Sequence, residues 1–134
     1  MKNLKLFSII GLSAFLLLSF TVLVQKKWDV PAKYKSMKNP TDAKDKEGAN
    51  EAKALYAKQC VSCHGKKGLG DGSKAADLKG DVGDFTAATF QKQTDGEIFY
   101  KMTEGKDEMP AFKKKIANDE DRWLLVNYLR TLKK

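Results

Sequence analysis

The sequence predicts an all-α fold, and three observations predict it. Three segments carry apolar residues at helical spacing, two of them behind capping signals. Between the first and second lies a stretch with six glycines from Gly65 to Gly83 and no periodic apolar pattern, which reads as a long loop. Ahead of all of them, an uncharged apolar run reads as one further helix, a transmembrane or signal segment.

That run extends from Leu6 to Val24, 19 residues, with Lys2 and Lys5 before it and Lys26 and Lys27 after it. It is longer than the core of a usual export signal and just long enough to cross a bilayer as a helix. A cleavage site needs small residues at two set positions, and the best candidate, Val30-Pro31-Ala32, lies beyond two lysines and an aspartate. The favoured reading is an uncleaved single-pass anchor in the cytoplasmic membrane, residues 1–27, with Trp28 at the interface and the rest of the chain on the periplasmic, outer side. A cleaved leader would instead release a secreted periplasmic form. Residues 28–47 hold Pro31, Pro40 and many charges and read as a linker. Fully flexible, it would span about 25 Å; the alternative is that part of it packs on the domain surface.

Residues 48–134 read as one domain. Its first helix is expected from about Ala49 to Cys60, with Ala52, Leu55, Tyr56 and Gln59 at helical spacing. The second follows the capping-box pattern Thr94-Asp95-Gly96-Glu97, continues through Ile98, Phe99 and Met102, and stops at Gly105. The third is capped by Asn118; Asp119, Glu120 and Asp121 complement the positive end of its dipole, and Arg130, Lys133 and Lys134 lie near its C-terminus. Leu124, Tyr128 and Thr131 mark one face, with Leu125, Leu129 and Leu132 beside it. The stretch from Thr86 to Gln91 allows a short helix. A domain this small buries a modest share of its surface, and the glycine-rich loop adds no core, so a staple or a bulky buried cofactor is expected.

The chain has 25 Lys and Arg against 17 Asp and Glu, a formal charge of +8; without Lys2 and Lys5 the balance is 23 to 17, or +6. The lysines are scattered among acids, and Arg122 and Arg130 are the only arginines. No nucleic acid is expected as a partner; an acidic protein surface is.

Two cysteines and one histidine are all the chain has, and they fall together in Cys60-Val61-Ser62-Cys63-His64. This is the pattern that attaches a c-type haem. On a helical turn the three side chains project to one side, two thiols forming thioethers with the vinyl groups while the imidazole reaches the iron. Three other readings compete. A thioredoxin-like pair wants a strand before it, a zinc site wants a fourth ligand from a chain with no other Cys or His, and a plain disulfide explains neither the histidine nor the missing core.

With His64 the only histidine, the chain alone cannot supply a bis-histidine haem. Methionine is the usual second ligand of electron-transfer c haems. Met1 is terminal and Met37 lies in the linker, leaving Met102, which sits on a helix face like core filler, and Met109, in a loop stiffened by Pro110. Met109 is favoured; Met102, a lysine or an open position are the alternatives.

From about Gly48 onward the chain resembles the class I monohaem cytochromes c, in the bacterial, membrane-anchored type, through Cys60 to Gly65, Gly70-Asp71-Gly72 and Gly105 to Phe112. The resemblance implies the all-α cytochrome c fold around one covalent haem, haem c held through Cys60 and Cys63, with first and last helices crossing near it. Ala52 and Tyr56 match the small and aromatic positions of that crossing, and Tyr128 their counterpart. Many members place a proline after the motif whose carbonyl accepts the proximal histidine's N–H; this chain has none between Pro40 and Pro110.

A haem with His64 and Met109 on its iron has no vacant position for a substrate. The expectation is a one-electron carrier, not an enzyme, without a small-molecule substrate, passing electrons between respiratory redox partners. A non-shuttling subunit of a membrane respiratory complex is the alternative, and a haem enzyme or gas sensor a further one. Lys66, Lys67 and Lys113 to Lys115 would ring the haem edge and steer an acidic docking face. Phe85, Phe90, Phe112 and Trp123 read as haem-pocket or core residues.

Overall fold

The computed structural model describes residues 28–134. The expected N-terminal anchor lies outside the described residues, among which no helix is long and apolar enough to cross a membrane. In chain order the helices are α1 (Ala32–Lys35), α2 (Lys46–Gln59), α3 (Val61–His64), α4 (Ala88–Gln91), α5 (Asp95–Glu104) and α6 (Asp119–Thr131), with 3₁₀ turns at Ala75–Asp77 and Phe112–Lys114. Among the described residues no strand forms, and one isolated bridge joins Lys106 to Met109.

Caps set the helix ends. Asp45 accepts from the N–H groups of Glu47 and Gly48 at 3.0 and 3.1 Å, starting α2 three residues ahead of the apolar signal at Ala49. Thr94 and Glu97 make both bonds of the capping box of α5, which ends at Gly105 with φ 64°. Asn118 accepts from Glu120 N–H at 3.0 Å to open α6.

The main packing is α2 against α6. Ala52 is wholly buried on the crossing face, one turn from Tyr56, whose ring meets that of Tyr128 at 4.9 Å. The small and aromatic positions of the expected crossing are thus occupied as the resemblance implies. Behind it α5 brings Ile98, Phe99 and Met102 into the core, where Phe99 stacks on Trp123 at 4.0 Å under the Arg122 guanidinium.

The segment before α2 is a strap and not a free tether, the second of the two readings of residues 28–47. Val30 is buried, and the rings of Tyr34 and Tyr100 meet at 4.6 Å. Gly96 makes this approach possible: a Cβ there would sit 1.8 Å from the Tyr34 carbonyl oxygen. Asn39 donates to the Trp123 carbonyl at 3.1 Å and to Asn127 Oδ1 at 2.8 Å, while Thr41 donates to Asn39 Oδ1 through N–H and hydroxyl. Trp28 lies half-buried beneath the ammonium groups of Lys101 and Lys106, at 5.7 and 5.5 Å. Asn39→Ala removes both anchoring bonds, worth about 1.5 kcal/mol together, so the strap should open roughly tenfold more often. Trypsin cleavage at Lys33, Lys35 and Lys38 should quicken accordingly while α6 stays protected from hydrogen exchange.

Candidate functional site

The motif turn grows directly out of α2. Cys60 N–H donates to the Tyr56 carbonyl at 2.9 Å, and one further turn, α3, returns His64 N–H to the Cys60 carbonyl at 2.9 Å. Cys60, Cys63 and His64 therefore share one turn, as their spacing requires. Both cysteines are free thiols and half-buried.

The glycine-rich loop folds back onto this turn. Gly70, Gly72 and Lys74 donate their N–H groups to the carbonyls of His64, Cys63 and Ser62 at 3.0, 3.1 and 2.8 Å, satisfying acceptors that a short helix leaves unpaired. From the other side the buried Tyr56 hydroxyl donates to the Gly65 carbonyl at 2.7 Å. Burial, with smaller contributions from Cys60, Tyr128 and Asp71, holds that phenol protonated well above its usual range.

The His64 ring stacks on Phe85, with centroids 4.3 Å apart and planes 24° apart. Burial lowers its pKa to about 4, so the imidazole is neutral, the form that binds a metal. A weak hydrogen bond to the Val82 backbone acts the opposite way, and no bond of full geometry reaches the buried Nδ1. The Cys60 thiol is pushed up to about 12, by burial first and by Cys63 second. Reactive Cys-x-x-Cys pairs have a lowered thiol pKa, so the thioredoxin-like reading loses its physical basis.

Met109 stands apart in a second loop, in a tight turn where Lys106 and Met109 exchange N–H···O bonds of 2.9 Å in each direction. It is half-buried against the edge of the core, whereas Met102, 6% exposed, lies inside it on α5. Glu108 accepts from the N–H groups of Lys79 and Gly80 at 2.7 and 3.2 Å, tying the Met109 turn to the glycine-rich loop. Among the lysines expected at the site, Lys66, Lys67, Lys114 and Lys115 are exposed, while Lys113 pairs with Glu104 at 2.6 Å.

Two thiols and a neutral imidazole on one turn fit a covalently bound haem. Residues 47–129, well over half of the chain, match the family described as cytochrome c oxidase, cbb3-type, subunit III. The chain belongs to that family. No curated protein matches it. As a cbb3-type subunit III domain it is a c-type cytochrome: its cofactor is covalent haem c with its iron, and its chemistry is haem-based electron transfer. The cbb3-type match runs from α2 into α6 and takes in both loops, leaving most of the strap outside it.

The sequence pattern missed the surroundings of His64. Phe85 was read as a haem-pocket or core residue with no link to His64, and Gln91 and Arg130 carried no reading beyond the end of a helix. No local signal marks them, because each meets its partner across a loop.

Proposed function

We propose that the domain is a one-electron carrier, its haem c attached through Cys60 and Cys63 and its iron ligated by His64 and Met109, working between respiratory redox partners outside the cytoplasmic membrane. The observation that carries this reading is the single imidazole of the chain, half-buried, neutral and held on the same turn as two free thiols. When bound, the haem would supply one-electron redox chemistry at its iron. The chain's own residues hold its ligands and exclude water: Tyr56 and Gly72 brace the attachment turn, and Glu108 ties the Met109 loop to the segment opposite.

Residues 1–27 act as a membrane anchor in this reading, with the domain on the outer side. The strap then favours a fixed subunit over a swinging shuttle. With packing beginning near Trp28, only Gln25, Lys26 and Lys27 separate it from the apolar run, a reach of at most about 14 Å, against about 25 Å for a free linker of twenty residues. The family description, a subunit of an oxidase, points the same way.

The purified full chain, reduced, should show a low-spin haem that does not bind carbon monoxide; ready binding would instead favour a sensor or an enzyme. The partner's docking face is acidic in this proposal. Replacing Lys113, Lys114 and Lys115 with glutamine should slow electron exchange with it at low salt, by a factor within the roughly 10 to 10³ that steering supplies, and the difference should vanish at high salt. Lys114 and Lys115 should account for most of it, since Lys113 is already paired with Glu104.

A further inference from the structure

We infer that Phe85 sets the plane of the His64 imidazole, and that α6 holds Phe85 in place through Gln91. The inference rests on His64 being the iron's ligand. A histidine bound to a metal through one nitrogen can rotate about that bond, and a hydrogen bond from the other nitrogen is the ordinary restraint. Here the Val82 backbone lies beside the ring, but no hydrogen bond of full geometry reaches the buried Nδ1. What meets the imidazole is the flat face of Phe85, 4.3 Å away and 24° from parallel.

Phe85 itself has little freedom. Its N–H donates to the Gly68 carbonyl at 2.7 Å, its carbonyl accepts from Gln91 Nε2 at 2.8 Å, and its ring is flanked by Phe90 at 4.6 Å. The same Gln91 nitrogen donates to the Leu129 carbonyl of α6 at 3.0 Å. Arg130, one residue on, donates to the carbonyls of Gln91 and Gln93 at 2.9 and 2.6 Å and pairs with Asp95 at 2.7 Å. The Arg130 pair is half-exposed and adds little energy as an ion pair, but its fork of donors locks the segment carrying Gln91 onto α6. The series α6, Gln91, Phe85, His64 is continuous contact. Phe85 is a positioning residue, acting on the iron through the orientation of its ligand.

Ring orientation has its own signature, because the imidazole plane splits the iron d orbitals and sets where unpaired spin falls on the haem. The test compares the ferric, haem-loaded full chain as wild type, Phe85→Leu, Phe85→Tyr, Gln91→Leu and Ile98→Ala. The readouts are electron paramagnetic resonance g values, shifted haem-methyl proton resonances and thermal unfolding. Phe85→Leu should change the g anisotropy and the order of the methyl shifts. Phe85→Tyr, which keeps the flat ring, should restore both, and Gln91→Leu should move them less but in the same sense. Ile98→Ala, a core truncation on α5, should lower the melting temperature with the wild-type signature intact. A wild-type signature in both Phe85→Leu and Gln91→Leu, or an equal change in Ile98→Ala, overturns the inference. If His64→Ala keeps the wild-type low-spin spectrum, it is the ligand assignment that fails, and this inference with it.

Discussion

Met109→Ala is expected to turn a low-spin, closed haem into one that binds carbon monoxide when reduced, with loss of the methionine–iron charge-transfer band and a lower reduction potential. Thioether ligation favours the reduced iron, and axial ligands as a class spread haem potentials over roughly 0.8 V, so the drop should be large on that scale. The substitution should cost little stability, since Met109 is half-buried at the edge of the core and its turn is held by backbone bonds between Lys106 and Met109 and by Glu108. Met102→Ala should do the reverse. Buried among Ile98 and Phe99, it should cost about 2–5 kcal/mol while the spectrum and the carbon monoxide response stay as in wild type. Spectra and melts of the two variants side by side decide between the methionines; a band that survives Met109→Ala would remove Met109 from the iron.

Gly72→Ala should be a damaging single-methyl change in the attachment region. An added Cβ would stand 2.5 Å from the Ser62 carbonyl oxygen and 2.6 Å from the carbonyl carbon and oxygen of Cys63, all of them backbone. Nothing flexible is there to yield, so the loop must lift from the motif turn and strain the Gly72 and Lys74 bonds to Cys63 and Ser62. Overpacking of this kind costs about 1–3 kcal/mol, and in a domain of this size each kcal/mol lowers the melting temperature by about 4–8 °C. The yield of haem-loaded protein should fall with it. Gly80→Ala is the matched control: its Cβ would meet nothing within 4 Å, and its φ is not among the positive ones. There the melting temperature should hold or rise slightly, because alanine restricts the unfolded chain. Equal losses in the two variants would mean that the loop tolerates neither for general reasons, and that the close approach at Gly72 is unimportant.

Much of the site was legible because its signals are local. Cys60, Cys63 and His64 lie within five consecutive residues, and helical geometry alone puts them on one side of a turn. Thr94 and Glu97, and Asn118 with the acids after it, announce their helices because a cap bonds two or three residues ahead. The start of α2 was misread by three residues for the same kind of reason: Lys46, Glu47 and Gly48 carry no apolar signal, and only the Asp45 carboxylate recruits them into the helix.

Residues 28–47 were harder, since their prolines and charges describe a flexible segment and a strap equally well. The anchoring side chains are ordinary loop residues, and Asn39 finds Trp123 and Asn127 at separations of 84 and 88 positions. Gly96 gave no warning either, because its reason for being glycine is the Tyr34 carbonyl pressed against it from another part of the chain.

By itself, then, the sequence determined the all-α composition, the turn that brings Cys60, Cys63 and His64 together and the presence of a single imidazole, since each follows from residue identity and spacing along a short stretch. Only the tertiary structure decided what surrounds that imidazole and what holds the segment before α2. The Phe85 face against His64, the Glu108 bonds to Lys79 and Gly80, and the Asn39 bonds to α6 join residues far apart in the chain. Such pairings are set by how α2, α5 and α6 close around one core, and the types of residue involved carry no periodic signal that could announce them beforehand.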